Sequence, residues 1–138
     1  MVYERQKFKY LDTLGNNMAH TGIFATSDEI LVKAGENVDA NGSTEARINA
    51  LCLQVEALIN VTCRFNFSTA YSGLDSAVQG ILSEVASNLV AIYIITYNMD
   101  GYTSRTEAED IINVLRDGAL RGLALLRDRK QQDFMNAA

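Results

Sequence analysis

Apolar positions first recur at helical spacing around Ile30, Leu31 and Val32, directly behind Ser27-Asp28-Glu29. A capping residue followed by two acids suits the positive end of a helix dipole, and Gly35 supplies a stop. These signals predict a short helix. Residues 37–42 are rich in turn formers. A first long helix is predicted from Ser43 or Thr44, where Ile48, Leu51, Val55, Leu58 and Thr62 recur every three or four residues. Cys52 and Ile59 widen that stripe. Residues 66–73 read as a loop. Asp75 or Ser76 then opens a second long helix with Val78, Ile81, Leu82, Val85, Leu89, Ile92 and Tyr93 as its apolar face. Residues 89–97 are apolar almost all round, which predicts burial at a centre or in an interface. The β-branched run 92–96 is compatible with a strand, but the 3.6-residue period continues unbroken through it and favours helix.

Asp100-Gly101 ends that segment. Thr103-Ser104 precede Glu107 in a capping-box pattern. A third long helix follows, with Glu107, Glu109 and Asp110 in its first turn and Arg127, Arg129 and Lys130 at its end. Ile111, Leu115, Ala119, Leu123 and Leu126 line one side of it. The expected fold is all-α: an up-down-up bundle of three long helices preceded by a short helix. The expected organisation is an N-terminal arm (1–26), a helical domain (27–130) and a C-terminal tail (131–138). The arm begins with Tyr3, Phe8 and Tyr10 and continues through Gly15, Asn16, Asn17 and Gly22, leaving room for at most one irregular helical stretch. Leu53, Ile94, Ile95, Ile112 and Leu120 fall off the stripes and call for other partners, which hints at assembly.

Composition supports this outline. The chain has 138 residues, about one domain, with 48% hydrophobic and 21% charged residues. It has no proline, where average usage of about 5% gives roughly seven. Long uninterrupted helices are therefore permitted, and a proline-rich ligand is excluded. No stretch reads as a secretory signal, and the most apolar run, residues 89–95, falls short of the ~18 needed for a membrane span. The chain is thus expected to be made and kept in the cytoplasm, with the sequons at Asn41, Asn60 and Asn66 fortuitous. Cys52 and Cys63, placed on one helix, lie roughly 16 Å apart. They cannot bridge and read as buried free thiols.

Charge is segregated. Residues 1–9 carry +2, residues 116–138 carry +2, and residues 10–115 carry −9, for the total of −5. An acidic body with basic ends lacks the basic face of a DNA binder. The single histidine, His20, excludes a multi-histidine metal site and leaves any Ser-His-acid triad resting on that residue alone. Glu107 and Asp110 have carboxylate-pair spacing, which favourable charge at a helix N-terminus explains equally well. Phosphate-loop, dinucleotide and zinc motifs do not occur, so neither a catalytic residue, a cofactor nor a metal is assigned. Gly118 and Gly122 form a Gly-x-x-x-Gly step, and each costs about 1 kcal/mol against alanine in a helix interior. A backbone is therefore expected to pass close by, from an adjoining helix or a neighbouring subunit. Arg116 and Arg121 decorate the same helix and are candidates for meeting the acidic body of another copy.

Residues 87–128 resemble the head–tail connector (adaptor) proteins of tailed bacteriophages. The resemblance lies in Ser87-Asn-Leu-Val-Ala-Ile-Tyr-Ile-Ile-Thr-Tyr97 and Glu107-Ala-Glu-Asp-Ile-Ile-Asn-Val-Leu-Arg-Asp-Gly-Ala-Leu-Arg-Gly-Leu-Ala-Leu-Leu-Arg-Asp128. Glu45-Ala46-Arg47-Ile48 leading into Leu58-Ile59 resembles the family's first long helix, so the similarity spans roughly residues 27–130. It implies a structural virion protein at the head–tail interface, forming a homo-oligomeric ring, commonly of twelve copies, beneath the portal protein. Such a ring extends the channel, lets DNA pass without sequence-specific binding, and receives the next neck or tail component. In that setting Arg116, Gly118, Arg121, Gly122, Glu107 and Glu109 are subunit-interface candidates. Arg127, Arg129, Lys130, Phe134 and Met135 are portal-docking candidates, with the short tail seating in a groove. A mainly acidic lumen would repel DNA phosphates. Two other readings are a cytosolic helical regulator that dimerises through its Gly-x-x-x-Gly face, and a small enzyme with a polar cavity at His20.

Overall fold

The computed structural model describes residues 19–128, 130, 133 and 134. Among these the chain is all α-helical, with three long helices and two short ones. Helix α1 is Ser27–Ala34 and α2 is Glu45–Cys63. Helix α3 is the single turn Phe67–Ala70, continued by a 3₁₀ turn at Tyr71–Gly73. Helices α4 and α5 are Ser76–Tyr97 and Arg105–Arg127. Residues 1–18 of the arm expected at 1–26, Arg129 near the end of the expected helical domain, and Met135 of the tail expected at 131–138 lie outside the described residues.

Local chemistry sets most boundaries. The cap of α1 is Thr26 rather than Ser27: its hydroxyl accepts the Glu29 N–H at 3.2 Å, and the Glu29 carboxylate accepts the Thr26 N–H at 3.2 Å. This capping box releases the Ser27 hydroxyl for other work. Gly35 ends the helix at φ 87°, a conformation that costs a residue without Cβ little. Asp75 caps α4 by accepting the Ala77 N–H at 2.8 Å. Ser104 caps α5 through the Glu107 N–H at 3.1 Å, while the Glu107 carboxylate reaches one residue further, to the Thr103 N–H.

Residues 66–73 are not a plain loop. Asn66 accepts the Thr69 N–H and Asn60 accepts the Phe67 N–H, which closes the turn α3. Phe67 then plugs the core at 1% exposure. One turn shows no periodicity, so the pattern alone does not reveal it.

Helix α4 packs against α1, α2 and α5, most extensively against α5. One core cluster gathers Phe24, Ile30, Ile48, Val55, Ile59, Phe67, Leu82, Val85, Val90, Ile94 and Leu126. A second joins Ala34, Ala91, Ile95, Tyr102, Ala108 and Leu115. Ile94 and Ile95 thus find their partners inside the chain, whereas Leu53 and Leu120 stay exposed and Tyr93 turns outward. With mean hydropathy 1.6 over its best window, α4 is long and apolar enough to cross a membrane by length and composition alone. The apolar run therefore extends well beyond residues 89–95. In this fold, packing against three other helices covers much of its surface.

The glycine step in α5 is used within the chain. A Cβ on Gly122 would run into Val85 Cγ2, and one on Gly118 would lie 2.9 Å from Asn88 Nδ2. The two backbones can approach closely because neither position carries a side chain. At one end of the bundle the two interhelix connections are tied together. Asn98 donates to Asp39 at 3.3 Å, the Tyr102 hydroxyl donates to the Ala34 carbonyl at 2.7 Å, and Tyr97 lies against Gly42. Replacing Gly122 with alanine is expected to destabilise the fold by about 1–3 kcal/mol, since Val85 is fully enclosed and must move. Urea unfolding checks this, and unchanged stability would show that the seam is looser than the structure has it.

Candidate functional site

Residues 19–26 form no regular secondary structure and run along α2 as a strap. Four α2 residues, Glu45, Asn49, Cys52 and Glu56, recur at spacings of four, three and four and so share one side of the helix. They meet the strap in order. Asn49 accepts the Thr21 N–H at 3.0 Å and donates to the Ala19 carbonyl at 3.1 Å. Glu56 accepts the Ile23 N–H at 2.6 Å and the Phe24 N–H at 3.2 Å. Between them Cys52 lies beneath Gly22, where a Cβ would come within 2.9 Å of its sulfur. Phe24 then enters the core beside the Tyr71 ring, centroids 5.8 Å apart. An extended segment has no ladder of its own, so buried side chains supply its hydrogen bonds. Burial, reinforced by the Glu56 and Glu45 carboxylates, pushes the Cys52 thiol up to about 12. Burial also raises Cys63. Both cysteines are buried thiols outside any disulfide, and neither has the activated character of a nucleophile.

At the start of the strap, His20, Ser27 and Glu45 converge. The histidine Nδ1 is 2.7 Å from Glu45 Oε1 and 2.9 Å from Ser27 Oγ. Ser27 donates to Glu45 at 2.8 Å. The Nε2 faces the Ala25 carbonyl at 2.6 Å, and since a carbonyl only accepts, Nε2–H donates. A proton relay needs the hydroxyl on one ring nitrogen and the acid on the other. Here both sit on Nδ1 and the far nitrogen is capped by backbone. The residue types of a triad are present, but their arrangement is a knot that fastens the strap and α1 to α2. Among the described residues no group of three His, Cys, Asp or Glu is placed to hold a metal ion. A shallow depression beside α1, bordered by Asp28, Leu31, Val32, Gly35 and Glu36, gathers no convergent catalytic groups.

These contacts leave α2 with an unusual outer side. Glu45 and Glu56 are engaged with the strap, and the Arg47 guanidinium lies 4.2 Å from the centroid of the Tyr97 ring. The exposed positions are Ala46, Arg47, Ala50, Leu53, Gln54, Ala57, Leu58 and Val61, of which Arg47 alone is charged. Leu53 is 72% exposed and Val61 76%. A helix with solvent on one side ordinarily puts charged residues there.

The residues selected from sequence are distributed as follows. Gly122 is buried and Gly118 half-buried against α4 of the same chain. Glu107 serves the α5 cap, and Glu109 pairs with Arg105 at 3.1 Å. Arg121 pairs with Asp117 at 3.3 Å and Arg116 donates to Asn113 at 3.4 Å, all on the exposed side of α5. Arg127, Lys130 and Phe134 are exposed at its far end. The strap contacts of Glu45, Asn49 and Glu56 were not anticipated, although their common helical side is readable from the spacing. Comparison with known protein families, with curated proteins and with solved structures finds no match.

Two outcomes follow. Glu56→Ala leaves the buried Phe24 N–H and the part-buried Ile23 N–H without their acceptor and is expected to cost about 2 kcal/mol in urea unfolding. A negligible change would show that the strap adds nothing to the fold. Glu29, which accepts from Ser83 on α4, and Glu84, which accepts from Lys33 on α1 at 2.7 Å, bind α1 to α4. The Ser83 hydroxyl chiefly holds the Glu29 carboxyl below the usual 4.5, and the Lys33 ammonium does so for Glu84. Depressed folded values mean stabilisation present above the ordinary range and lost as pH falls through the lowered values. A Glu29→Gln/Glu84→Gln variant is therefore expected to be less stable than the parent at neutral pH and to match it in strong acid. A pH-independent difference would contradict this origin.

Proposed function

We propose that this chain is a structural assembly protein of the head–tail connector type, working as a ring of copies beneath a phage portal rather than as an enzyme. The observation that carries this reading is the exposed side of α2, where Leu53, Leu58 and Val61 stand among Ala46, Ala50 and Ala57, with Gln54 and Arg47 its polar members. Exposed apolar surface of this kind marks a protein contact. The finer architecture belongs to the same proposal: the three long helices, with α1 before them, form the connector domain, flanked by the arm and the tail. A second exposed apolar set, Val114, Leu120 and Leu125, lies on α5. Two different apolar surfaces on one chain favour head-to-tail contact, which closes into a ring when the rotation permits.

The exposed Arg127, Lys130 and Phe134, with Arg129 and Met135 beyond the described residues, are the proposed portal-docking group. The acidic body suits a channel through which DNA slides without being held. The protein would then be made in the host cytoplasm and act in the virion between portal and neck, with no cofactor. The Gly-x-x-x-Gly dimer has less support, because that step is already covered by α4. The test is co-sedimentation of the full chain with the portal protein of the same genome. Loss of binding on deleting residues 131–138, with helical content retained, and loss of copy–copy association in Leu53→Glu are expected. Portal binding and self-association untouched by both changes would overturn the reading.

A further inference from the structure

We infer that the outer face of α1 is a seat for the basic, aromatic-rich N-terminal segment of the same chain, residues 3–10. The contact does not depend on the portal reading above.

Asp28, Leu31, Val32, Gly35 and Glu36 follow the spacing of one side of α1 and border the shallow depression there. Its middle is apolar: Val32 is 78% exposed, the most of any large hydrophobic side chain among the described residues. Its two ends are acidic. On the inner side of α1, Glu29 meets Ser83 and Lys33 meets Glu84, so the charges there are matched against α4. Among the described residues no cation pairs with Asp28 or Glu36. Asp28 stands at the positive end of the helix dipole, which suits it. Glu36 lies just past the cap Gly35, at the negative end, where an acid is unfavourable. A cation laid across that end relieves this placement. The depression therefore calls for an occupant with apolar bulk at its middle and positive charge around it.

Residues 3–10, Tyr-Glu-Arg-Gln-Lys-Phe-Lys-Tyr, have that chemistry: Tyr3, Phe8 and Tyr10, with Arg5, Lys7 and Lys9 against Glu4 alone. Position agrees with composition. Asn49 holds the Ala19 carbonyl where the strap begins, and His20 lies 2.9 Å from Ser27, the first residue of α1. The chain before the strap therefore sets out beside the start of α1. Residues 11–18 can span up to about 26 Å, whereas Asp28 and Glu36 are roughly 12 Å apart, so the segment can reach the whole depression. Gly15, Asn16 and Asn17 in that link are residues that let a chain change direction. A tether this short also makes the contact intramolecular at high effective concentration, so a modest affinity suffices. The C-terminal end is the other basic, aromatic segment, but it starts in the wrong place. Arg127 is a charged neighbour of Cys63, and Cys63 is roughly 27 Å along α2 from Glu45, which Ser27 touches. With residues 3–10 seated on α1, the N-terminal positive charge is answered within the chain, and the basic surface left over is that of the C-terminal end.

Full-length Gln6→Cys/Val32→Cys and Gln6→Cys/Ala50→Cys variants, treated with a short bismaleimide at micromolar concentration, test this. Val32 and Ala50 are both exposed, and the native Cys52 and Cys63 are buried, which keeps background coupling low. Ala50 adjoins Asn49, where the strap begins, so an undirected segment links to it at least as readily as to Val32. The link within one chain between positions 6 and 32 is expected to form about fivefold faster than that between 6 and 50. Adding Asp28→Asn and Glu36→Gln, with helical content unchanged by circular dichroism, is expected to remove that preference. Equal rates, a faster link to position 50, or a preference that survives loss of both carboxylates would overturn the charge-matched seat. Mixed single variants Gln6→Cys and Val32→Cys that couple as fast as the doubly substituted chain would show the depression filled by another copy, which also overturns it.

Discussion

The second half of helix α4 is apolar on nearly every side, and the rest of the chain is arranged to enclose the helix. A single helix partner covers one stripe, so a segment of this character needs neighbours around much of its circumference. Helix α1 and α2 take two sides and α5 takes a third. Val85, Val90, Ala91, Ile94 and Ile95 are all but fully enclosed as a result. The closest approach is to α5, where Gly118 and Gly122 remove the side chains that would hold the backbones apart. The favourable burial of apolar surface along this seam offsets the conformational cost of two glycines in a helix interior.

The second constraint is the strap. Residues 19–26 complete the core with Phe24 and Ala25 but form no helix of their own. Their backbone polar groups need acceptors and donors, and α2 supplies them through Asn49 and Glu56. The side of α2 away from the strap carries Leu53, Leu58 and Val61 among alanines, with Arg47 lying against the Tyr97 ring. The knot at His20 belongs to the same system: its geometry fastens three segments and does not assemble a relay.

Much of the helical plan is legible in the sequence because helix signals are local. Thr44, Asp75 and Ser104 precede apolar periods of 3.6 residues, Gly35 follows one, and the absence of proline lets each run on. Local reasoning falters where two neighbours compete. Ser27 looks like the cap of α1, yet Thr26 takes that role because Glu29 sits three residues beyond it. Phe67 lies in a segment with no period to read, and only its burial shows why one turn forms there. Tyr93 reads as part of the apolar face, but the packing of α4 leaves it 45% exposed.

The sequence by itself determined that this is a helical protein with an acidic body, basic ends, no metal or cofactor motif and more apolar positions than its stripes require. Those properties depend on residue identity and on spacing along a single element. Only the tertiary structure decided which surplus positions were spent internally and which were left outside. Ile94 and Ile95 are buried, while Leu53, Val61, Val114 and Leu125 are exposed, although all carry similar side chains. The difference is which neighbour each helix face meets, a property of packing between segments distant in the chain. The same reason hides the strap: nothing local to Glu56 says that the backbone of residues 23 and 24 will come to it.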